Sequence, residues 1–174
     1  SGVRIFDLLD TEIEVKDHPN PEQCETINGT ITLENVHFHY TPEIPIIRGL
    51  TLNISEGETL ALVGTTGAGK TTLASLIARF YDVTQGKVML DGHDIRKIPQ
   101  SILSSHMAMV PQEPFLFSGT IADNIRYNHT NITNQDIVNA TMLVGAHDFI
   151  SDLEDGYETY LHERGINLSM GQRQ

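Results

Sequence analysis

The spacing of apolar residues in the first third of the chain predicts strands. Apolar and polar residues alternate over Thr30–Tyr40, and the alternation returns at 50–54 after a turn that contains proline. Such alternation predicts strands that bury one face. The continuous apolar run at 59–63 is instead typical of a strand that is covered on both faces, as in the centre of a parallel sheet.

After that run the spacing is mainly helical, with two more short strands. Helices are predicted at 70–79, 121–127, 134–144 and 146–153, and strands at 87–90 and 107–110. Asn134 is predicted to cap the third of these helices, and Gly145 follows its end. Strands, then a strand–helix–strand unit, then a group of helices predict an α/β fold with a helical insertion.

The N-terminal residues do not belong to this pattern. Apolar residues at helical spacing over Val3–Val15 predict one short helix, which ends before the stretch Asp17–Pro21 with its two prolines. We therefore expect residues 1–27 to be the end of a helix and a linker that arrive from a preceding part of a longer protein.

Composition narrows the classes of function. Of the 174 residues, 39% are hydrophobic and 20% are charged, which fits one soluble domain. The 11 basic and 23 acidic residues give a net charge of −12, which repels a phosphate backbone and disfavours nucleic acid as a partner. The single cysteine, Cys24, excludes an internal disulfide and fits a reducing compartment.

The strongest chemical signal is a glycine-rich loop between the 59–63 run and the helix that follows it. Gly64-Thr65-Thr66-Gly67-Ala68-Gly69-Lys70-Thr71 matches the pattern G-x-x-x-x-G-K-[ST]. The glycines let successive N–H groups point at phosphates, and the helix N-terminus adds its positive end. We expect Lys70 on the β- and γ-phosphates and the Thr71 hydroxyl on Mg²⁺. The alternative, a surface turn of this sequence by chance, is disfavoured by the strand and helix predicted on either side.

Three further motifs lie around this loop in a fixed order. Tyr40 precedes it, Gln112 follows the predicted strand 107–110, and Leu168-Ser169-Met170-Gly171-Gln172 lies near the last residue. In this order they resemble the nucleotide-binding domains of ABC transporters, from about residue 28 to residue 174. The resemblance implies an α/β fold with a P-loop NTPase-like ABC ATPase core, an N-terminal antiparallel β subdomain and a helical subdomain at about 115–168.

The resemblance gives each motif a role. Tyr40 is expected to stack on adenine, and the alternative is a strand-end residue that only covers the core. Gln112 is expected to offer its carbonyl oxygen to Mg²⁺ or to the attacking water, whereas by itself it would be an ordinary surface glutamine. The implied ligands of Mg²⁺ are Thr71 and Gln112, and the implied ATP-binding set is Tyr40, Gly64, Thr65, Thr66, Gly67, Ala68, Gly69, Lys70, Thr71, Thr72 and Gln112.

The signature-like segment 168–172 points to a second copy of the domain. Ser169 is an expected helix N-cap, which by itself needs no ligand, and Gly171 lets a phosphate approach. The resemblance implies that this segment contacts the γ-phosphate of ATP held by a partner domain, so that two domains close head to tail on two ATP molecules. Met170 stands where the family has glycine, and its side chain could crowd that phosphate, so equal activity of the two composite sites is not implied.

Further segments resemble exporters whose membrane and nucleotide domains share one chain. These are Gln112–Ile121, Glu163-Arg164-Gly165 and Arg4–Asp10, the last of which is similar to the tail of a membrane helix. The resemblance implies ATP-driven export, with the transmembrane domain of the same transporter as a partner and the cytoplasmic face of the cell membrane as the location. The transported substrate is not implied, because the membrane domain selects it.

The resemblance is incomplete at the catalytic end. In the family an apolar strand follows the signature helix and ends in an aspartate for Mg²⁺ and a glutamate that acts as general base. We find neither among the 174 residues, because Asp91 and Asp94 lie in a turn that does not fit the motif. We therefore assign no catalytic residue, and we expect a truncated piece that binds nucleotide weakly, hydrolyses it negligibly and has open sheet edges.

Other classes of protein are less well supported. A phosphate-loop kinase would use lid arginines, for which Arg126 and Arg164 are available, but it would leave 168–172 unexplained. A soluble ABC-type ATPase of DNA repair or translation requires a long coiled-coil insertion or basic RNA-facing patches, which the motif spacing and the net charge disfavour. A non-enzymatic regulatory module remains open for this piece. His37 and His39 share one strand face without a third ligand for zinc.

Overall fold

The computed structural model describes residues 6, 10–11, 15–22, 24, 26–127, 129, 131–162, 165 and 167–174. They form two units, Ser1–Met109 and Val110–Gln174, and each combines antiparallel strands with helices, so the predicted α/β class is confirmed. Most of the predicted N-terminal helix lies outside the described residues, as do Glu163 and Arg164. None of the helices within the described ranges has the length and apolar character needed to cross a bilayer.

A four-stranded antiparallel sheet organises the first unit. Its strands are β1 (Ile31–His39), β2 (Pro45–Ile54), β3 (Gln85–Leu90) and β4 (His93–Asp94), in the spatial order β2-β1-β3-β4. The alternation predicted for β1 is confirmed, because Leu33, Val36 and Phe38 are buried. The spacing of three residues between Leu33 and Val36 follows from an irregularity in the ladder, where one extra residue shifts the register.

The helices of this unit cover the sheet. They are α1 (Lys70–Ile77) and α2 (Gln100–His106), and a short 3₁₀ turn (Ile95–Lys97) precedes α2. Leu73 and Leu76 of α1 are buried in the same cluster as the β1 residues, Val88 of β3 and Leu103 of α2. Burial of these side chains fixes the helix that follows the glycine-rich loop against the core.

Two of the predicted strands are wrong. Residues 59–63 and 107–110 pair with no strand in the described part of the chain, and Val63 and Val110 are 90% and 72% exposed. An extended segment becomes a strand only when a neighbour takes up its N–H and C=O groups. An apolar run does not itself supply that neighbour, so the buried parallel sheet expected here is not formed by the described residues.

The turn between β3 and β4 holds the start of β1. Asp91 lies in this turn with φ of 50°, and its carboxylate accepts hydrogen bonds from the N–H groups of Asn28 (2.7 Å), Gly29 (3.2 Å) and Thr30 (2.9 Å). Burial acts to raise the pKa of Asp91, but the three donors outweigh it and the pKa is lowered. The ionised carboxylate thus satisfies backbone donors that no strand takes up.

The second unit is mainly helical. It contains β5 (Gly119–Thr120), α3 (Ile121–Arg126), α4 (Asn134–Leu143), α5 (His147–Ser151), a 3₁₀ turn (Gly156–Glu158), β6 (Tyr160–Leu161) and α6 (Met170–Arg173). Strands β5 and β6 pair antiparallel, and Ile121, Ile150 and Leu161 form a small core. The helices predicted at 121–127 and 134–144 are confirmed, and the one predicted at 146–153 is shorter.

Side-chain caps begin three of these helices. Thr120, Thr133 and Ser169 each accept the N–H of the third helical residue, whose side chain bonds back to the cap. The predicted cap at Ser169 is therefore confirmed. The predicted cap at Asn134 is wrong by one residue, because Thr133 has an acid three residues later that completes the box. Asn134 Oδ1 instead accepts a hydrogen bond from Arg126 Nη2 at 2.7 Å.

Candidate functional site

The glycine-rich loop has the backbone conformation that its glycines allow. Gly67 and Gly69 have φ of 83° and 86°, in the left-handed region that favours glycine. A side chain at Gly69 would also be crowded, because a Cβ there would lie 3.0 Å from Ile47 Cδ1 of β2. Gly67 therefore allows the turn of the loop, and Gly69 lets the loop lie close to β2 immediately before α1 begins.

The N-terminus of α1 is open to a ligand. Its N-cap is Gly69, no side chain caps it, and its first turn has no acidic residue. N–H groups in the first turn of a helix have no intrahelical acceptor, and the helix dipole adds partial positive charge at the same place. This helix end is therefore suited to an anion, in contrast to the side-chain-capped ends of α3, α4 and α6.

Lys70 turns back into the loop. Its Nζ donates to the carbonyl oxygens of Gly64 and Thr65, each at 2.8 Å, and Ala68 N–H donates to the same Thr65 oxygen at 3.2 Å. These bonds hold the ammonium group beside the N-terminus of α1. Because the loop residues 64–68 are exposed, a phosphate group can reach both the cation and the helix end.

Tyr40 follows β1 and is tied to α1 through its hydroxyl. Tyr40 Oη lies 3.2 Å from Thr72 Oγ1, and Thr72 is buried on α1. The Tyr40 ring also makes T-shaped contacts with Phe38 and Tyr81, at centroid distances of 4.9 and 5.1 Å. Since Tyr40 is still 53% exposed, its ring is held by the protein and offers apolar surface to another planar group.

The side chains near the loop could hold Mg²⁺ only if phosphates supply further ligands. No group of three or more His, Cys, Asp or Glu side chains in the described ranges could hold a metal ion. Thr71 is exposed on the first turn of α1, next to Lys70. Mg²⁺ usually takes one or two protein ligands and completes its shell with substrate phosphates and water, so a single hydroxyl at this place is compatible with it.

The remaining predicted residues lie in the second unit. Gln112 is exposed in an irregular segment, and it lines a groove of about 410 Å³ together with Phe115, Met170 and Arg173. The Met170 side chain is 66% exposed, and a Cβ on Gly171 would meet nothing within 4 Å. The structure thus brings Gln112 and the signature-like segment together within this unit, whereas Tyr40, the loop and Thr72 meet within the first.

Arg126, one of the two arginines available for a kinase lid, is bonded within its own unit. Its Nη2 donates to Asn134 Oδ1 and its Nε donates to the Ile132 carbonyl at 3.4 Å. The guanidinium therefore joins the end of α3 to the start of α4. Arg164, the other arginine considered for a lid, lies outside the described residues.

Sequence patterns did not indicate Tyr81 as part of the site. It follows a predicted helix and carries no motif, and only the structure shows its ring against Tyr40. The pair Phe80-Tyr81 directly after the helix is a signal that could have drawn attention to it, because aromatic side chains contribute large contact areas to cores and interfaces.

Comparison with a family model, with individual relatives and with a solved structure gives the same family. The ABC transporter family matches residues 47–174. An uncharacterized ABC transporter ATP-binding protein of Bacillus subtilis is 45% identical over 174 residues, which are 100% of this chain and 29% of that protein. A putative multidrug export ATP-binding/permease protein of Staphylococcus aureus is 40% identical over 171 residues, which are 98% of this chain and 30% of that protein.

A solved structure agrees with these relatives. The structure of a bacterial Atm1-family ABC exporter with ATP bound superposes with a TM-score of 0.89 at 38% identity. The match covers 99% of this chain and 30% of that one. The chain therefore spans about three tenths of the length of the relatives described here.

Proposed function

This chain belongs to the ABC transporter family, and we propose that it is the ATP-binding part of an exporter that couples ATP binding and hydrolysis to transport across a membrane. The observation that carries the proposal is the loop at 64–69, with Lys70 Nζ held inside it beside the uncapped N-terminus of α1. A cation, free helical N–H groups and left-handed glycines suit a triphosphate. Export is supported by the relatives, one of which is named as a multidrug export protein.

Each residue of the proposed ATP-binding set then has a defined task. The N–H groups of residues 67–72 donate to the phosphates, with Ala68 N–H giving up the Thr65 carbonyl. Lys70 likewise exchanges its two carbonyl partners for β- and γ-phosphate oxygens. The Thr71 hydroxyl and the Gln112 carbonyl oxygen would hold Mg²⁺, which when bound neutralises phosphate charge. Tyr40 stacks on the adenine face and orients the base.

The signature-like segment would serve a second domain. We assign Leu168–Gln172 to the γ-phosphate of ATP bound by a partner domain, in a head-to-tail pair. The Ser169 hydroxyl lies at the start of α6 and the open space at Gly171 admits a phosphate. The exposed Met170 side chain would lie beside that phosphate, which supports unequal composite sites where the partner differs from this chain.

For the whole protein we propose the arrangement that is typical of the family. Residues 1–27 would be the linker from the membrane part, 28–174 a partial nucleotide-binding domain, and about 115–168 its helical subdomain. The partners would be the transmembrane domain of the same transporter and a second nucleotide-binding domain at the cytoplasmic face of the membrane. The net charge of −12 supports the absence of nucleic acid among the partners.

Binding of Mg²⁺-ATP by titration calorimetry tests the proposal. Lys70→Ala removes charge-assisted hydrogen bonds and should weaken binding roughly 10- to 100-fold. Lys87→Ala is the matched control, because Lys87 is a partly exposed lysine on β3 that pairs with Glu34 at 3.0 Å and makes the same change in net charge. Circular dichroism spectra establish that the three proteins are folded.

Two results would contradict the proposal. If Lys70→Ala binds as tightly as the unsubstituted chain, the loop is not the phosphate site. If the folded, unsubstituted chain shows no ATP binding, the loop and the N-terminus of α1 are not a triphosphate site in this chain, and the proposal fails.

Hydrolysis is a separate matter. No residue among the 174 fits the aspartate and glutamate that follow an apolar strand in the family, so the chain alone should hydrolyse ATP negligibly. A turnover rate of the order of 1 s⁻¹ by the purified chain, absent from Lys70→Ala, would show that it contains a catalytic base after all.

A further inference from the structure

The exposed ring of Tyr40 is held by Tyr81, which no motif includes, and by Thr72, whose hydroxyl has no assigned role in the ATP-binding set. Tyr81 meets it edge to face at a centroid distance of 5.1 Å, and Thr72 Oγ1 lies 3.2 Å from its hydroxyl oxygen. Tyr40 and Tyr81 also line one cleft of about 280 Å³ in the first unit, together with Phe38 and Thr84. A half-exposed aromatic residue that is fixed at both its ring and its hydroxyl has little rotational freedom to lose on stacking.

Tyr81 reaches this position because of the way in which α1 ends. Arg79 adopts a left-handed conformation with φ of 54°, Arg79 N–H donates to the Leu76 carbonyl, and Phe80 N–H donates to the Ser75 carbonyl. This pair of bonds is a Schellman motif. It stops the helix abruptly and returns the chain toward the sheet, so that the second residue after the turn lies beside Tyr40.

Thr72 connects the same ring to the phosphate loop. It belongs to the first turn of α1, two residues after Lys70, and the residue is only 8% exposed. The Tyr40 hydroxyl is therefore bonded to the helix whose N-terminus faces the loop. The Tyr40 ring, which would stack on a base, and the loop, which would bind phosphates, are therefore parts of one packed assembly. A fixed distance between them favours a ligand that carries both a base and phosphates.

We infer that Tyr81 and Thr72 are positioning residues that set the Tyr40 ring for a purine base, and that they determine how much the base adds to the affinity for the triphosphate. The inference rests on the proposed function, since it requires that the loop binds phosphates. Neither residue needs to touch the base; each acts through Tyr40.

The experiment compares two ligands, Mg²⁺-ATP and inorganic tripolyphosphate with Mg²⁺, on the whole chain by calorimetry. Tyr81→Leu should weaken ATP binding about three- to tenfold, as expected for loss of one edge-to-face contact, and should leave tripolyphosphate binding unchanged. Tyr81→Phe keeps the ring and should behave as the unsubstituted chain does. Phe80→Leu is the matched control, because Phe80 is the preceding aromatic and is 54% exposed.

A double substitution separates positioning from direct contact. In a Tyr40→Ala chain, Tyr81→Leu should cause no further loss of ATP affinity, because Tyr81 acts only through the ring that has been removed. If Tyr81→Leu does not fold, Tyr40→Phe tests the other fixing point. This variant keeps the ring and loses the bond to Thr72. It should weaken ATP binding about two- to threefold and leave tripolyphosphate binding unchanged.

The outcomes are distinguishable. Equal losses for both ligands in Tyr81→Leu, no loss in either Tyr81→Leu or Tyr40→Phe, or an additive loss in the Tyr40→Ala chain would each overturn the inference and leave the phosphate site standing. The same holds if the unsubstituted chain binds ATP no more tightly than tripolyphosphate. If it binds neither ligand, the proposed function fails and the inference fails with it.

Discussion

Replacing Arg79 by alanine should be among the most destabilising single changes in the first unit. The Arg79 side chain is 1% exposed, which is rare for arginine. Its Nη1 donates to the Ile98 carbonyl and its Nη2 to the Lys16 carbonyl, each at 2.9 Å, and its Nε donates to Asp82 at 3.2 Å. It thereby joins the end of α1, the start of α2 and the N-terminal segment.

The size of the effect follows from the surroundings of each bond. The bond to Ile98 is buried and the other two are partly buried, while the ion pair with Asp17 at 3.7 Å involves a carboxylate that is 53% exposed and adds little. Loss of the guanidinium leaves the Ile98 carbonyl without its donor. We expect a loss of about 3–4 kcal/mol in the free energy of unfolding, a large share of the 5–15 kcal/mol typical of a domain.

Urea unfolding followed by circular dichroism measures this loss. Arg79→Lys should lose about half as much free energy of unfolding, because one ammonium group cannot reach three acceptors as the planar guanidinium does. Arg48→Ala, at an exposed position on β2, should stay within about 0.5 kcal/mol of the unsubstituted chain. Trypsin should also cleave after Lys16 faster in Arg79→Ala. A loss for Arg79→Ala within about 1 kcal/mol of that for Arg48→Ala would refute the reasoning.

Three further changes test other parts of the structure. Gly86→Ala should cost more than about 2 kcal/mol, because Gly86 has φ of 78° and the new Cβ would lie 2.3 Å from the Asn35 carbonyl oxygen. Gly92→Ala, with φ of 82° and open space, should cost only about 1 kcal/mol, and equal melting temperatures of the two would contradict the steric reasoning. Asp91→Asn should cost about 1–2 kcal/mol at neutral pH. The pKa of Asp91 is lowered in the fold, so the stability that its carboxylate contributes is present above the usual pKa of about 3.9 and is lost as pH falls through the lowered pKa. The urea midpoints of Asp91→Asn and of the unsubstituted chain should therefore converge in acid. Thr133→Ala should cost about 1 kcal/mol and Thr133→Ser almost nothing, as measured by helicity and melting.

Sequence was sufficient where local rules decide the structure. The loop at 64–69 and the start of α1 follow from glycine conformations and from the lysine motif, and the alternation in β1 follows from a sheet with one buried face. The cap at Thr133 could also have been found, since an acid three residues after a threonine completes a capping box. Helix α2 was missed because it is short and has few apolar residues, although Pro99 before it favours a helix start.

Sequence was insufficient where distant residues decide. Val63 lies in an apolar run, yet the run cannot say which strand will pair with it, and the structure leaves it 90% exposed. The burial of Arg79 depends on the carbonyls of Lys16 and Ile98, 63 and 19 residues away. The contact of Tyr81 with Tyr40 likewise depends on how α1 ends. The roles assigned to Gln112 and to the segment 168–172 stay predictions.

The capping box of α6 has a consequence for the design of experiments on domain pairing. The Ser169 oxygen accepts the Gln172 N–H at 3.3 Å, and its own proton has no acceptor in the part of the chain that is described, so one atom can start the helix and donate to a phosphate at once. Alanine at 169 would remove both abilities, so a loss of domain pairing in that variant could not be attributed to either one. Glycine separates them, because it caps a helix with a penalty of only a few tenths of a kcal/mol and has no hydroxyl to donate.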